Sequence, residues 1–147
     1  MDCGPYSCKP IRAFVEHPHV LLVDDCEITR KLIELLFTEC ACRVITSDGG
    51  VNALEYLGLA DDDQSLGEYN TPKMKMICID YEMPRMNGYE LLKKLKESPL
   101  MEDVPVAVMA SDNDPTLVKK CIEAGAVMFI SKPVKEVDVE KLKNLMK

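Results

Sequence analysis

The sequence predicts an α/β protein of the flavodoxin-like class: a doubly wound sheet of five parallel strands in the order 2-1-3-4-5, covered by five helices. Short apolar runs alternate five times with segments whose apolar residues recur at helical spacing. Alternation of this kind favours right-handed crossovers and a parallel sheet with helices on both faces. Apolar residues make up 47% and charged residues 29% of the 147 residues, which is typical of one folded domain.

The first strand–helix pair is predicted from an apolar run and an amphipathic segment. The run at 19–23 is short and partly β-branched, which favours a buried parallel strand. A helix is predicted at 27–39, where apolar residues recur at the spacing of one helical face. The residues that define this face are Ile28, Leu32, Leu35 and Leu36. We expect core packing for each of them, with Ile28 or Leu32 as alternative contributors to a docking surface.

The second pair leads into a long polar segment. A strand is predicted at 43–46, and a helix that starts at Val51 is expected to end near Gly58. Residues 59–72 are acidic and rich in turn-forming residues. Because so long a loop is uncommon within a compact domain, we predict a surface insertion there.

The remaining three pairs repeat the same alternation. Strands are predicted at 74–79, 105–109 and 126–130. The helices that follow them are predicted at 89–97, 116–124 and 137–146.

The ends of the chain suggest the domain organisation. Residues 1–18 are predicted to form an irregular N-terminal arm, because glycine and prolines interrupt any regular pattern. Residues 19–147 are then expected to form a single domain. No segment has the length and apolar character of a signal peptide or membrane span, so no association with a membrane is expected.

Charge and cysteine content limit the partners and the compartment. The 18 basic and 25 acidic residues give a net charge of −7, and aromatic residues are only 5%. Both values argue against binding to nucleic acid. The seven cysteines are odd in number and lack paired CxxC spacing, and only two histidines accompany them. A zinc site is therefore not expected. We expect the thiols to be reduced and the protein to be located in the cytoplasm and nucleus.

Charged side chains follow several predicted strands at the point where each strand ends. Asp24 and Asp25 follow the first strand, Asp80 ends the third, and Lys132 follows the fifth. In the order 2-1-3-4-5 the first and third strands are neighbours, so Asp25 and Asp80 should lie side by side at the carboxyl edge. Clustered carboxylates need a cation, and an oxygen-only site with open positions suits Mg²⁺. With the Lys132 ammonium, the cluster predicts a site for a phosphoryl group.

Three motifs resemble the receiver domains of two-component response regulators, over about residues 19–146. They are VDDCEITRK after the first strand, IDYEMPRMNGYELLKKLK around Asp80, and AGAVMFISKPV near the fifth strand. The segment NALEYLGL and the acidic loop after it resemble the plant type-A response regulators. The resemblance implies one receiver domain over 19–147 with no output domain, and therefore action by phosphotransfer or surface docking alone.

The resemblance also implies roles for the charged residues. Asp80 would be the phosphoacceptor and would form an acyl phosphate. Asp25 and Asp80 would bind Mg²⁺ through their carboxylates, together with the backbone carbonyl of Glu82, and Asp24 would act mostly through water. Lys132 would pair with Asp80 at rest and with the phosphoryl oxygens afterwards.

Two further positions match the family's loop motifs. Gly88 is expected behind the site, in a conformation with positive φ that glycine permits. Pro133 after Lys132 matches the position of the family's cis peptide.

One position departs from the family. Strand four should end in a Ser or Thr whose hydroxyl bonds the phosphoryl group, but Ala110 stands there. Ser111 is adjacent, yet successive strand side chains point to opposite faces. We therefore expect weakened coupling to Phe129, which stands where the family has its rotamer-switching aromatic residue, and for which plain core packing is the alternative.

The leading functional prediction is a stand-alone, monomeric phosphoacceptor, not an enzyme with turnover. Its donor would be a histidine phosphotransfer protein, and the type-A resemblance implies negative feedback on cytokinin signalling. A pseudo-receiver that binds partners without switching is an alternative that Ala110 favours. A metal-dependent phosphatase is a third alternative, with Glu82 as its acid–base residue, but the loop at 59–72 is too short and too acidic for a substrate cap.

Overall fold

The computed structural model describes residues 17–59 and 71–146. Strands and helices alternate regularly along this part of the chain. The strands are β1 (His19–Val23), β2 (Arg43–Ser47), β3 (Met74–Asp80), β4 (Val106–Ala110) and β5 (Met128–Ser131). The helices are α1 (Glu27–Glu39), α2 (Gly50–Tyr56), α3 (Gly88–Glu97), α4 (Pro115–Glu123) and α5 (Glu136–Asn144).

All strand pairs are parallel, and the sheet order is β2-β1-β3-β4-β5. The predicted flavodoxin-like fold and strand order are therefore confirmed. In the β1–β3 pairing Val23 lies beside Ile79, so the residues that follow them, Asp24 and Asp80, come out at the same edge of the sheet. The fold thus brings together two carboxylates that are 56 positions apart in the sequence.

The sheet separates two hydrophobic cores, because successive strand side chains point to opposite faces. Leu21, Ile77 and Val108 belong to the core shared with α2, α3 and α4. Leu22 and Cys78 belong to the core shared with α1 and α5. The central strand β3 is covered on both sides, which fixes the position of Asp80 at its end.

The helix predicted at 27–39 is confirmed, but its predicted inward face is wrong. Ile33 is 2% exposed and Phe37 is fully buried, whereas Ile28 is 73%, Leu32 61% and Leu35 54% exposed. The apolar residues of α1 lie on two sides of the helix, and the sequence pattern identified the side that faces solvent. Leu36 is half-buried and packs against the α1–α5 core.

Smaller differences concern the ends of elements. The fifth strand begins at Met128, two residues later than predicted, because Ala126 and Gly125 close helix α4: their N–H groups bond the carbonyls of Cys121 and Ile122. Gly125 has φ +115°, the left-handed region that glycine tolerates at helix ends. Helix α5 ends at Asn144, two residues earlier than predicted.

Two predictions lie largely outside the described residues. The N-terminal arm is described only at His17 and Pro18, and the predicted insertion at 59–72 only at its two ends. None of the helices within 17–59 and 71–146 combines the length and apolar character needed to cross a membrane.

Candidate functional site

Three carboxylates meet at the carboxyl edge of β1 and β3. Asp24, Asp25 and Asp80 each place an oxygen within 4.8 Å of the others. Asp24 is fully buried and Asp80 is 2% exposed, while Asp25 is exposed. The predicted juxtaposition of Asp25 and Asp80 is therefore present in the structure.

Lys132 supplies the positive charge of this cluster. Its Nζ lies 2.9 Å from Asp80 Oδ1 and 3.0 Å from Asp24 Oδ2. Its backbone N–H donates to the carbonyl of Ala110 at 2.9 Å, which ties the residue to the end of β4. The Lys132–Pro133 peptide is cis, as the family resemblance implied.

Burial and charge shift the pKa of both partners. Burial raises the pKa of Asp80 to about 6, an effect that the nearby Lys132 ammonium opposes and the Asp24 carboxylate reinforces. Burial alone would lower the pKa of Lys132, but its hydrogen bonds to Asp80 and Asp24 outweigh this and raise it above the usual value. The lysine therefore stays charged, while the Asp80 carboxylate is costly to ionise without further positive charge.

The cluster fits a divalent cation. Asp80 Oδ1 is buried and, apart from the Lys132 ammonium 2.9 Å away, has no hydrogen-bond partner among the described residues. Asp24 is more fully engaged, since its Oδ1 accepts from the N–H of Cys26 and its Oδ2 from Lys132. Asp25 and Asp80 are therefore left with the most free lone pairs, and carboxylate oxygens with open positions suit Mg²⁺.

Arg30 is a supporting residue that sequence reasoning missed. Its Nη1 donates to the backbone carbonyl of Asp24 at 2.8 Å, from the second turn of α1. This bond fixes the turn between β1 and α1 and so the position of Asp24. The signal in the sequence was an arginine five residues after Asp25, within the start of the predicted helix.

The loop behind the site is held by the cap of α3. The side chain of Asn87 accepts from the N–H of Glu90, and the Glu90 side chain accepts from the N–H of Asn87, which forms a capping box. A Cβ on Gly88 would lie 2.7 Å from the carbonyl oxygen of Asp80. Gly88 is needed for this close approach, and the expected positive φ is wrong: in this loop Arg85 has it, at 71°.

Two predicted residues lie at the rim. The Glu82 side chain accepts from the N–H of Ser111 at 3.3 Å, which links the β3 and β4 loops. The metal-binding role of the Glu82 carbonyl stays a prediction. Ala110 is fully buried at the end of β4. It lies two residues after Val108, so its side chain is on the same face of the sheet as Val108. That face belongs to the core shared with α2, α3 and α4, against which Phe129 packs.

A cleft of about 510 Å³ opens above the cluster. Its lining includes Asp25, Asp80 and Lys132 of the cluster together with Leu32 and Leu36 of α1. The acidic site is therefore continuous with an apolar helix surface, which a partner protein can reach.

The fold and the site together define a receiver domain, a protein that presents a strand-end aspartate beside further acids and a lysine. Residues 20–144 match the family described as Response regulator receiver domain, and the chain belongs to that family.

The relatives and structural neighbours agree with this assignment. The chain is 48% identical to Two-component response regulator ARR17 of Arabidopsis thaliana, over 96% of this chain and 92% of the relative. It is 50% identical to ARR16 of the same plant, over 97% and 88%. The receiver domain of the Pseudomonas aeruginosa sensor histidine kinase PA1611, solved with a magnesium ion in its active-site cleft, superimposes with a TM-score of 0.73 at 18% identity, over 89% and 98%. The chain is therefore a receiver domain of the plant response-regulator kind, in two-component signalling.

Proposed function

We propose that this receiver accepts a phosphoryl group on Asp80 from a phosphorylated histidine of a histidine phosphotransfer protein. The observation that supports this most is the buried Asp80 carboxylate, which lines the cleft and whose Oδ1 has, among the described residues, only the Lys132 ammonium as a partner. A carboxylate oxygen forms the new P–O bond while the P–N bond breaks, and the electron pair of that bond stays on the imidazole nitrogen. The acceptor needs no general base, only positioning and charge neutralisation.

The acidic cluster supports a role for Mg²⁺. Asp25 and Asp80 would hold the ion through their carboxylates, with the Glu82 carbonyl, while Asp24 is held in place by its own hydrogen bonds. When bound, the ion would neutralise the charge of the incoming phosphoryl oxygens. Lys132 lies within 3 Å of both buried carboxylates and would follow the charge from Asp80 to the phosphoryl group.

The exposed face of α1 supports docking of the donor. Ile28, Leu32 and Leu35 are more than half exposed, and Leu32 also lines the cleft above Asp80. Apolar residues exposed together beside a reactive site are typical of a protein interface. The donor would place its histidine over the cleft while its own helices cover this face.

The cellular role is proposed from the resemblance to plant type-A response regulators and from the composition. As a monomer in the cytoplasm and nucleus, the receiver would drain phosphoryl groups from the relay and so act as a negative regulator of cytokinin signalling.

The test is phosphoryl transfer from a labelled histidine phosphotransfer protein in the presence of Mg²⁺. Label should move to the wild-type chain and not to Asp80→Asn. Asp103→Asn removes an exposed carboxylate outside the cluster and should leave transfer unchanged. Equal labelling of Asp80→Asn would show that another residue is the acceptor.

The pseudo-receiver is the second candidate, because the buried Ala110 has no hydroxyl to bond a phosphoryl group. It predicts that the phosphotransfer protein binds but no label moves. A small-molecule phosphatase is not favoured, since the Glu82 carboxylate is engaged with Ser111. Steady release of phosphate from free esters in the same assay would revive it.

A further inference from the structure

A second cavity lies away from the acidic cleft, between α3 and α4. It has a volume of about 630 Å³ and runs along both helices, from Tyr89 and Thr116 near their first turns to Glu97 and Glu123 at their ends. The residues of each helix recur at helical spacing, so one face of each forms a wall. The cavity is an open trough rather than an enclosed pocket, and we call it the α3–α4 groove.

The groove is basic in a chain that is acidic. Four lysines and two glutamates line it, whereas the whole chain carries a net charge of −7. Lys96 is used structurally, because its Nζ donates to the carbonyls of Glu102 and Val104 at 3.1 and 2.9 Å. Lys119 and Glu123 form a loose, exposed pair at 4.0 Å. The charge available to a ligand therefore comes mainly from Lys93 and Lys120.

Both of these ammonium groups approach one aromatic ring. Lys120 Nζ lies 4.1 Å and Lys93 Nζ 5.5 Å from the centroid of Tyr89. Neither has a carboxylate within 4 Å among the residues that the structure describes. Cation–π attraction holds two like charges from different helices at the same point of the groove. An added anion would relieve their repulsion.

The spacing of the lysines distinguishes between possible anions. A compact phosphate is bound by donors that converge on one point, often buried ones. Here Lys93 and Lys120 meet at Tyr89, but both are exposed. The positive charge of the groove continues along the two helices with Lys96 and Lys119. A nucleic acid would be repelled by the net charge of the chain, and the Tyr89 ring already stacks against a lysine. An elongated chain with several carboxylates fits best.

We propose that the α3–α4 groove is a docking site for an acidic, carboxylate-bearing segment of a partner protein. A carboxylate of the segment pairs with Lys93 and Lys120 over Tyr89. This surface is separate from the Asp80 cleft and from the exposed face of α1, so the receiver can hold such a partner and exchange phosphoryl groups independently.

The test is a titration of the unphosphorylated full chain with a hexaglutamate peptide, followed by amide NMR. Shifts should appear in α3 and α4 around Tyr89 and should weaken with added salt. Lys93→Gln/Lys120→Gln should bind about fivefold or more weakly, as expected for the loss of two exposed ion pairs. Lys94→Gln/Lys141→Gln removes the same charge from exposed lysines outside the groove and should change the affinity less than twofold.

Three outcomes would overturn the proposal. One is the absence of saturable shifts in the groove with hexaglutamate. Another is an equal loss of affinity in the two double variants, which would mean unspecific attraction. The third is an equal affinity for inorganic pyrophosphate with the same shifts, which would mean a compact-anion site. The amide spectrum of each free variant verifies folding, and phosphotransfer to Asp80 plays no part in any of these readouts.

Discussion

The carboxyl edge of the sheet has two halves that differ in chemical completeness. At β1 and β3, Asp24, Asp25 and Asp80 form a tight acidic cluster, and Lys132 reaches from the end of β5 to lie between the two buried carboxylates. At β4 and β5, the position expected to hold a hydroxyl is Ala110, and Phe129 packs into the core. Under the proposed function, the first half would hold the groups that accept the phosphoryl group, and the second lacks the hydroxyl expected to report its arrival. Accepting and signalling would then depend on separate residues, which variants can distinguish.

The largest expected effect comes from Lys132→Ala, which removes the cation of the acidic cluster. The variant removes the ammonium 2.9 Å from Asp80 and leaves two buried carboxylates without their counter-ion. Because a preorganised charge at the reacting oxygen is lost, phosphotransfer to Asp80 should slow about a hundredfold. Rapid-quench measurement of labelled chain gives the rate, and Lys141→Ala, exposed on α5, is the control. A less than threefold loss would show that Lys132 is only structural.

The pH dependence of stability should show the cost of ionising Asp80 within the acidic cluster. In the metal-free protein burial raises the pKa of Asp80 from 3.8 to about 6, so the folded state binds this proton more tightly than the unfolded state. The stability this provides is present below pH 4 and is lost as the pH rises through 6. Asp80→Asn has no carboxyl group to ionise there. The free energy of unfolding of the variant, relative to that of the wild type, should therefore rise by about 2–3 kcal/mol between pH 4 and pH 7.

Urea unfolding at the two pH values, with EDTA present, measures this difference. In EDTA-free buffer at pH 7, added Mg²⁺ should stabilise the wild type and not Asp80→Asn, because only the intact cluster binds the ion. A difference between the two proteins that is independent of pH would contradict the assignment of this cost to Asp80.

The sequence was sufficient for the sheet because its strands are short apolar runs that end in charged residues, as β3 does at Asp80. It was insufficient where both sides of an element are apolar: the pattern in α1 selected Ile28 and Leu32 over the buried Ile33 and Phe37. Gly88 was recognised from its motif, but only the folded structure shows how closely its backbone approaches the Asp80 carbonyl. The lysines around Tyr89 lie on two helices, and only their packing shows that they meet.

The smallest and most specific effect is expected from Ala110→Ser, which adds the hydroxyl that is missing at the end of β4. Ala110 is buried beside the lysine backbone, at the end of β4 and opposite Ser131 in the sheet. The family resemblance implies that a hydroxyl at this position bonds the phosphoryl group, and a hydrogen bond to a charged group contributes roughly 1.5–3 kcal/mol. That energy is available only in the phosphorylated state, so it shifts the population of the switched conformation.

Beryllofluoride, which mimics the phosphoryl group on an aspartate, allows the comparison in NMR spectra. In the wild type the signals of Phe129 should change little on addition, while those around Asp80 change fully. In Ala110→Ser the change at Phe129 should grow severalfold with the Asp80 response unaltered, and Ser131→Ala, on the neighbouring strand, should behave as the wild type. A full-amplitude change at Phe129 in the wild type would instead mean that the β4–β5 half reports phosphorylation without the hydroxyl, so that accepting and signalling are coupled through the lysine alone.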